Sequence, residues 1–479
     1  MTLPALSADN AVATEDPSLP LAGQVDPSSG QRIPLSTTNL AEDGAGSKFG
    51  PIAAILKAKG ATYCVLHGWE EARRGTESDV DIVILPSHLT VLSEAIELGG
   101  WRIMQLIHYE VGAYFFVATT MRGQQREYLC IDAITDFRHC GWRYLSGEQL
   151  LDGAHSDVGM MVAAPTAQFV YLLVKKILKG KIPPGQRLIL AQLADQLGGQ
   201  AQLIGDAMVG RARGRQLLGW IRMGYWEQVE SHTGALRRAL KLRAMLRYPG
   251  NPLRYWPANI KRLLRRLWCP DGLMLALLGP DGSGKSTLAA HLAEDFVPTY
   301  GDKQRFHKRP DIFGRHTWTP DPQPHSDPCF KTWLSVVKLV YLAIDYILGY
   351  SLLIRPSLVR SNLVIFDRYY TDLLIDPQRY RLNVPAWLVR GLERIIPRPG
   401  LTLILEAPAT CLLTRKAEVS LDLLAILNAR YGSLAKGRAD TIAIDSSRPL
   451  PEVVAAAENA ICDFLHRRYL KRTHGGVHL

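Results

Sequence analysis

The sequence lacks the cysteine patterns that mark disulfide frameworks and zinc sites. Its seven cysteines lie far apart in 479 residues, without a C-x-x-C pair or a histidine-cysteine cluster at zinc-binding spacing. The first fifty residues also lack a basic start followed by an apolar core, which argues against a secretory signal. We therefore expect reduced thiols and a cytoplasmic location.

Acidic residues are missing from one long stretch, Arg237 to Arg266. It contains ten Lys and Arg and no Asp or Glu, so it supplies most of the formal net charge of +11. A stretch of this kind could contact anionic lipid, nucleic acid or a phosphorylated polymer. The interpretation that we favour from sequence alone is a solvated helical linker.

Long hydrophobic runs are also scarce. The stretch from Trp333 to Ile354 is largely apolar, but Lys338 and Asp345 lie inside it. Each of these charges costs roughly 2.5 to 3.5 kcal/mol at the centre of a bilayer. We therefore predict a buried helix of a globular domain and no integral membrane segment.

What the sequence does contain is a glycine-rich segment between two apolar elements. Residues 273–287 read LMLALLGPDGSGKST. Six apolar residues predict a strand covered on both faces, and apolar residues at helical spacing follow the loop. The glycines allow a tight turn that directs N–H groups at an anion beside a helix N-terminus. The pattern predicts an ATP-binding loop made of Gly279, Gly282, Ser283, Gly284, Lys285, Ser286 and Thr287.

The residue types in and after this loop suit phosphoryl transfer. Lys285 is expected to reach the β and γ phosphates, Ser286 to bind Mg²⁺, and Asp281 to face the transferred group. A second apolar run ends at Asp367, where the carboxyl end of a parallel strand would place a carboxylate beside the loop as a further Mg²⁺ ligand. Arg368 offers a planar fork for the phosphate of an anionic acceptor.

These motifs resemble those of thymidylate kinases over about 200 residues, from Gly272 to near Leu470. The resemblance implies that Lys285 and Arg415 stabilise the transferring group, that Asp281 assists the acceptor oxygen, and that Arg368 binds the acceptor phosphate. This chain departs from the usual thymidylate kinase pattern at two places, where it has Lys308-Arg309-Pro310 and Asp345-Tyr346. With Arg379 and Arg381, these differences suggest another anionic acceptor, although surface ion pairing is an equal alternative for Arg309, Arg379 and Arg381.

A second acidic constellation lies in the first third of the chain. Asp79 and Asp81 are two residues apart on a predicted strand, so both carboxylates leave the same face and could share a divalent cation. Asp132 ends another apolar run and could complete the metal site. The segment resembles nucleotidyltransferases of the polymerase-beta type, with Trp69 after Gly68 where that family usually has a small residue. The alternatives are a binding domain and an edge strand with solvated acids.

The stretch from Pro165 to Ile182 is predicted to form a helix with several lysines near its end. Lys175 is expected to complement the helix dipole there, and contact with a triphosphate is the alternative. Four regions follow: a disordered leader over 1–47, a nucleotidyltransferase-like domain over 48–160, a helical connector over 161–269 and a kinase domain over 270–479.

The predicted fold class is α/β, with a C-terminal P-loop kinase whose parallel sheet is flanked by helices, an α+β nucleotidyltransferase-like front domain and the connector between them. The predicted activity is Mg²⁺-dependent transfer from ATP to a phosphorylated small molecule, either a nucleoside monophosphate or a sugar phosphate. Nucleotidyl transfer by the front domain, to a sugar phosphate or a protein hydroxyl, and ATP-gated binding without catalysis are the alternatives. Candidate partners are an anionic membrane surface or polymer at Arg237 to Arg266 and a second copy in a homodimer.

Overall fold

The computed structural model describes residues 47–68, 79–123, 125–157, 159–294, 301–314, 327–416 and 420–474. The predicted disordered leader lies outside these residues except for Ser47. The sequence also predicts a long Pro-rich loop from Asp311 to Pro328, and most of that loop lies outside the described residues.

A seven-stranded mixed sheet forms the first part of the described chain. Its strands are ordered β3-β4-β5-β2-β1-β9-β8, and β6 pairs separately with β7. The strands are β1 Tyr63–His67, β2 Asp79–Ile84, β3 Arg102–Glu110, β4 Ala113–Arg122, β5 Gln125–Ile134, β6 Phe137–His139, β7 Trp142–Leu145, β8 His155–Asp157 and β9 Met160–Val162. The helices among them are α1 Gly50–Ala58, α2 Leu89–Leu98 and α3 Gly147–Leu151, with a short 3₁₀ turn at Pro86–His88.

Seven helices follow the sheet, and the first six share an apolar core with one of its faces. They are α4 Pro165–Lys179, α5 Pro184–Leu197, α6 Gly199–Val209, α7 Arg211–Met223, α8 Trp226–Ser231, α9 Thr233–Arg247 and α10 Asn251–Trp268. The predicted apolar face of α4, including Phe169, Leu173 and Ile177, is buried in one core with Cys64 and Val83 of the sheet. This packing makes the helical region continuous with the first sheet.

A second sheet of five parallel strands follows, in the order β11-β12-β10-β13-β14. Its strands are β10 Leu273–Leu278, β11 Lys303–His307, β12 Leu363–Asp367, β13 Leu401–Glu406 and β14 Thr441–Asp445. The helices are α11 Lys285–Glu294, α12 Thr332–Gly349, α13 Arg355–Val359, α14 Asp372–Ile375, α15 Ala386–Glu393, α16 Ala409–Arg415, α17 Leu421–Gly437 and α18 Leu450–His474, with a π-helical turn at Tyr350–Ile354 and a 3₁₀ turn at Gln378–Tyr380. Every residue of the central strand β10 is buried, as expected for a parallel sheet with helices on both faces.

The last helix joins the two sheets. Tyr469 of α18 is buried in the core of the first sheet, and the imidazole Nδ1 of His466 lies 2.8 Å from the carbonyl oxygen of Ile103 on β3. Met104 and Val117 of the first sheet pack in the same core as β10. The front and back parts of the chain are therefore held together by a shared apolar core as well as by the connector.

The apolar helix predicted over Trp333–Ile354 is buried on one face only. Its inner face contributes Leu339, Tyr346 and Ile354 to a core beneath the parallel sheet. Asp345 on this face is fully buried and accepts hydrogen bonds from the backbone N–H groups of Asp311 and Ile312 at 3.2 and 2.9 Å. The outer face exposes apolar side chains at Trp333, Leu334, Val337, Val340, Ile344, Leu348, Leu352 and Leu353. The prediction of a buried helix is therefore wrong for the outer face.

By length and composition, the stretch Thr332–Val359 is the one helical segment of the described residues that could cross a membrane. Its hydrogen-bonded Asp345 and its packed inner face belong to the core of the second sheet. The stretch Thr332–Val359 is therefore an element of that core.

Candidate functional site

The glycine-rich loop lies between the end of β10 and the start of α11. Gly279 and Gly282 have φ angles of 146° and 79°, which side-chain-bearing residues rarely adopt. A Cβ at Gly279 would lie 2.5 Å from the carbonyl oxygen of Leu405, and one at Gly282 would lie 2.8 Å from that of Leu412. Glycine is therefore required by the backbone conformation and by close contact with β13 and α16. The result is a compact loop at the N-terminus of a helix, an arrangement that is suited to binding phosphate.

Lys285, the first residue of α11, points back over the loop. Its Nζ donates hydrogen bonds to the carbonyl oxygen of Pro280 at 2.6 Å and to Oγ of Ser283 at 3.2 Å, and the side chain is buried. Burial, together with the positive charge of Arg368, lowers the pKa of Lys285 to about 7. The loop therefore holds a lysine whose pKa lies near neutrality.

We expect ATP binding to take up a proton at Lys285. A bound polyphosphate favours the ammonium form, so at about pH 8 the complex should gain about one proton relative to the free protein. Calorimetric titrations in two buffers of different ionisation enthalpy measure this number. The Lys285→Met variant should lose the uptake, and an equal proton count in both proteins would contradict the assignment.

Ser286 and Asp367 meet at the edge of the parallel sheet. The hydroxyl of Ser286 donates to Oδ2 of Asp367 at 2.6 Å, and Asp367 lies beside Leu277 in the register of β12 on β10. Burial alone would raise the pKa of Asp367, but hydrogen bonds from His307 and Ser286 and the charge of Lys285 hold it below its usual value. Asp367 is therefore a carboxylate, and the two oxygens form a donor pair of the kind that Mg²⁺ prefers.

Arg368 follows Asp367 with a left-handed backbone, at a φ of 72°. Its side chain is 3% exposed. One guanidinium nitrogen donates to Asp281 of the loop at 2.6 Å and the other to Asp372 at 2.8 Å. Arg379 also forms an ion pair with Asp281. The predicted residues Asp281 and Arg368 are thus in direct contact, and Asp281 is shared between two arginines.

Arg379 and Arg381 occupy different environments. Arg379 is buried and lies 3.3 Å from Asp376 as well as contacting Asp281, so surface ion pairing is wrong for this residue. Arg381 is about one-third exposed and pairs with Asp327 at 2.9 Å, so the surface interpretation is confirmed there.

Three residues of this network were missed from the sequence. Asp372 accepts hydrogen bonds from the hydroxyl groups of Tyr380 and Tyr431 as well as from Arg368. Asp372 follows Arg368 by four residues, but Arg368 precedes the helix that begins at Asp372, so the helical spacing rule does not apply to this pair. Tyr431 lies on α17, 63 residues after Arg368, and no local pattern could have identified it.

Arg415 lies at the end of α16. Its guanidinium donates to the carbonyl oxygen of Ser446 at 2.8 Å, beyond the end of β14. A Cβ built on Gly282 would lie 3.6 Å from that of Arg415, so the backbone of α16 adjoins the loop. The Cβ atom of Arg415 therefore lies next to the glycine-rich loop, whereas its guanidinium group contacts Ser446. Thr287 is exposed on the first turn of α11.

Two of the three acids predicted to form a metal site lie side by side in the first sheet. Asp81 and Asp132 are direct partners in the parallel pairing of β2 with β5, and Asp79 lies at the exposed start of β2. Lys175 donates to Oδ2 of Asp81 at 2.5 Å, and the hydroxyl of Tyr109 donates to Asp132 at 2.7 Å. The prediction that Lys175 complements the helix dipole is therefore wrong, because its ammonium group reaches the adjacent sheet.

No group of three or more His, Cys, Asp or Glu side chains among the described residues has the arrangement of a metal site. The metal role predicted for Asp79, Asp81 and Asp132 therefore stays a prediction. Gly68 has a φ of 87°, and a Cβ there would lie 2.8 Å from the carbonyl oxygen of Asp79. Trp69 lies outside the described residues.

We expect Asp132 to make the stability of the protein fall as the pH rises. Burial and the neighbouring charge of Asp81 raise the pKa of Asp132 to about 7, above its value in an unfolded chain. The folded state therefore holds more protons between about pH 4 and 7, and the resulting stabilisation is lost as the pH rises through 7. The melting temperature should decrease between about pH 5 and about pH 8. This decrease should be at least about 2 °C larger in the wild type than in Asp132→Asn. The matched control is Asp195→Asn on α5, and equal pH dependence in all three proteins would contradict this role.

The parallel sheet, the glycine-rich loop at the end of its central strand and the Ser286–Asp367 pair are consistent with a P-loop kinase-like fold. No protein-family model matches the chain. A probable thymidylate kinase of Archaeoglobus fulgidus is 27% identical over 205 residues, which are 40% of this chain and 97% of that protein. A thymidylate kinase of Xanthomonas campestris pv. campestris is 30% identical over 139 residues, 29% of this chain and 58% of that protein.

A crystal structure of thymidylate kinase from Ehrlichia chaffeensis covers 42% of this chain and 98% of its own, with 17% identity and a TM-score of 0.27. Homology to thymidylate kinases thus extends over about 30 to 40% of the chain and supports a kinase. The nucleotidyltransferase resemblance of the front domain stays a prediction.

Proposed function

We propose that the chain transfers the γ-phosphoryl group of ATP to a phosphorylated small acceptor. The proposal rests on one observation: residues suited to bind the phosphate donor and residues suited to bind the acceptor are in contact at one edge of the parallel sheet. We call these two groups the donor half and the acceptor half of the site. Lys285 and the Ser286–Asp367 pair occupy the donor side, and the buried Arg368 occupies the other side while contacting Asp281 of the same loop. An ATPase would need only the donor half. A kinase for an anionic acceptor also needs a buried cation on the acceptor side.

The donor half would bind the polyphosphate through the N–H groups of the loop and the ammonium of Lys285. Ser286 and Asp367 would hold Mg²⁺, which when bound neutralises charge on the phosphate oxygens. In the structure, Lys285 is hydrogen-bonded to the loop itself. The γ-phosphate would replace Pro280 and Ser283 as its partner, so that Lys285 follows the charge of the transferring group.

The acceptor half would use the guanidinium forks of Arg368 and Arg379. Both arginines contact Asp281, so an acceptor phosphate that reaches either fork must replace the carboxylate of Asp281 there. That exchange would leave Asp281 available to accept a hydrogen bond from the attacking acceptor oxygen. Asp372, Tyr380 and Tyr431 would hold Arg368 in place during the exchange.

The acceptor can be identified with ATP labelled in its γ-phosphate and a panel of nucleoside monophosphates and sugar phosphates. We expect the label to appear on one class of acceptor. Because the acceptor half departs from the thymidylate kinase pattern at Arg309 and Tyr346, the panel should include acceptors other than thymidylate. The absence of a labelled acceptor, with ATP bound or slowly hydrolysed, would favour the ATP-gated binding protein.

Nucleotidyl transfer by the front domain is a second candidate, favoured by the facing carboxylates of Asp81 and Asp132 and by a cavity of about 310 Å³ lined by His67 and Gly68. Its test is pyrophosphate release from nucleoside triphosphates with a sugar phosphate or a protein hydroxyl as acceptor. Asp79→Ala should abolish this release and Lys285→Ala should preserve it. Asp79 is suited to the test because it lies at the exposed start of β2, so its substitution is expected to leave the core intact. Release that survives Asp79→Ala would remove this candidate.

A further inference from the structure

The helix α10 turns its polar side toward the protein and its apolar side outward. Asn251, Tyr255 and Asn259, which share one face at helical spacing, are each no more than 8% exposed. The opposite face carries seven large apolar side chains that are between 42% and 82% exposed: Leu253, Trp256, Ile260, Leu263, Leu264, Leu267 and Trp268. A helix packed on a water-soluble core has the reverse arrangement. The outward face of α10 is therefore suited to an apolar partner.

Specific hydrogen bonds hold the helix in this orientation. The hydroxyl of Tyr255 donates to Glu110 at 2.9 Å, and Asn251 donates to the carbonyl oxygen of Gly141 at 2.6 Å. Further along the same face, Arg262 donates to the carbonyl oxygen of Tyr109 and Arg266 to that of Val359, both at 2.6 Å. These contacts join α10 to β3, to the turn between β6 and β7 and to α13. Rotation of the helix to bury its apolar face would break all of them and leave buried polar groups without partners.

Apolar side chains are also exposed on the segments that adjoin α10. Leu242, Met245 and Leu246 are exposed on the last turns of α9, immediately before it. Leu352 and Leu353 are exposed in the π-helical turn beyond α12, where Arg355 donates to the carbonyl oxygen of Trp268 at 3.3 Å. A surface made of several neighbouring elements is larger than the scattered apolar residues of an ordinary soluble protein.

We propose that the outward face of α10 binds the interface of an anionic lipid membrane, with the helix lying in the plane of the headgroups. The charges around the face support this partner. Arg254, Lys261 and Arg265 follow one edge of the apolar face, and the segment from Arg237 to Arg266 contains no acid. Trp256 and Trp268 add two indole rings of the kind that concentrate at the membrane interface. The basic stretch and the apolar face thus act together on one surface.

A second copy of the chain fits this surface less well. A two-fold interface through α10 would bring the same basic edges of both copies close together, with no acid in the stretch to compensate them. Anionic headgroups instead provide the opposite charge over a continuous apolar layer. The charge pattern therefore favours lipid over a dimer.

Vesicle flotation with the full chain tests the proposal. We expect the protein to float with phosphatidylcholine vesicles that contain about 30% phosphatidylglycerol and to remain unbound with phosphatidylcholine alone, because the attraction requires anionic lipid. Binding should weaken in about 0.5 M NaCl, which screens the headgroup charge. Ile260→Glu/Leu264→Glu should lower the bound fraction at least about tenfold, since it places two carboxylates in the apolar face.

The matched control is Leu188→Glu/Leu203→Glu, which adds the same charge at exposed leucines of α5 and α6. It should bind like the wild type, and equal melting temperatures of both variants would exclude a folding defect. Absence of wild-type binding, or equal binding by both double variants, would overturn the proposal. A wild-type dimer that dissociates in Ile260→Glu/Leu264→Glu, without any vesicle binding, would overturn it in favour of a second copy.

Discussion

Lys285→Ala should lower the rate of phosphoryl transfer about a thousandfold at saturating ATP and acceptor. The side chain is the cation that the loop itself contributes, 2.6 Å from the carbonyl oxygen of Pro280 and adjacent in sequence to Ser286. Its charge is expected to follow the γ-phosphate toward the transition state, where negative charge is redistributed. Steady-state kinetics with labelled ATP measure the loss.

The matched control is Lys331→Ala, which removes an exposed lysine before α12. It should leave the rate unchanged. Because Lys285 is buried and its ammonium form is disfavoured, the alanine variant should melt at or above the temperature of the wild type. A folded Lys285→Ala protein with a rate within about tenfold of the wild type would contradict the role assigned to this residue.

Arg368→Ala should raise the KM for the acceptor and lower kcat, because the guanidinium would hold the acceptor phosphate in both the ground and the transition state. We expect kcat/KM for the acceptor to fall at least about a hundredfold, whereas the KM for ATP should change little. The substitution also leaves the buried carboxylate of Asp372 without its cation, whereas Asp281 keeps Arg379 as a partner. A loss of about 3 to 5 kcal/mol in the free energy of unfolding should accompany it.

A second variant separates the kinetic effect from the structural effect. Arg368→Ala/Asp372→Asn removes the carboxylate that loses its cation in the single variant, so it should recover part of the lost stability. It should not recover acceptor kinetics, since no cation returns to the acceptor side. Unchanged acceptor kinetics in a folded Arg368→Ala protein, or kinetics restored together with stability in the double variant, would show that Arg368 is structural.

Much of the kinase half could be predicted because its strands are short apolar runs with polar ends. The six apolar residues before the glycine-rich loop form the buried β10, and the second apolar run ends at Asp367 as β12 does. Parallel pairing then brings Asp367 beside the strand that precedes the loop, because the carboxyl ends of parallel strands share one edge. The position of this acid followed from strand register alone.

Other features depend on contacts that local sequence does not determine. Lys175 reaches Asp81 across 94 positions of the chain, so neither residue signals the other. Helical periodicity groups the apolar residues of α10 on one side, but it does not tell which side faces the protein. The contacts of Tyr255, Arg262 and Arg266 with distant elements decide that question. Sequence alone therefore favours a solvated linker for the basic stretch, because it does not reveal these distant contacts.

The fate of the γ-phosphate in a single turnover tests the central claim most directly. Enzyme in excess over γ-labelled ATP is mixed with the acceptor panel, and the quenched products are separated into ATP, phosphorylated acceptor and free phosphate. We predict that the label passes to an acceptor in the wild type and remains in ATP in Lys285→Ala. Label recovered only as free phosphate or as unreacted ATP, with every acceptor in the panel, would contradict phosphoryl transfer by this chain.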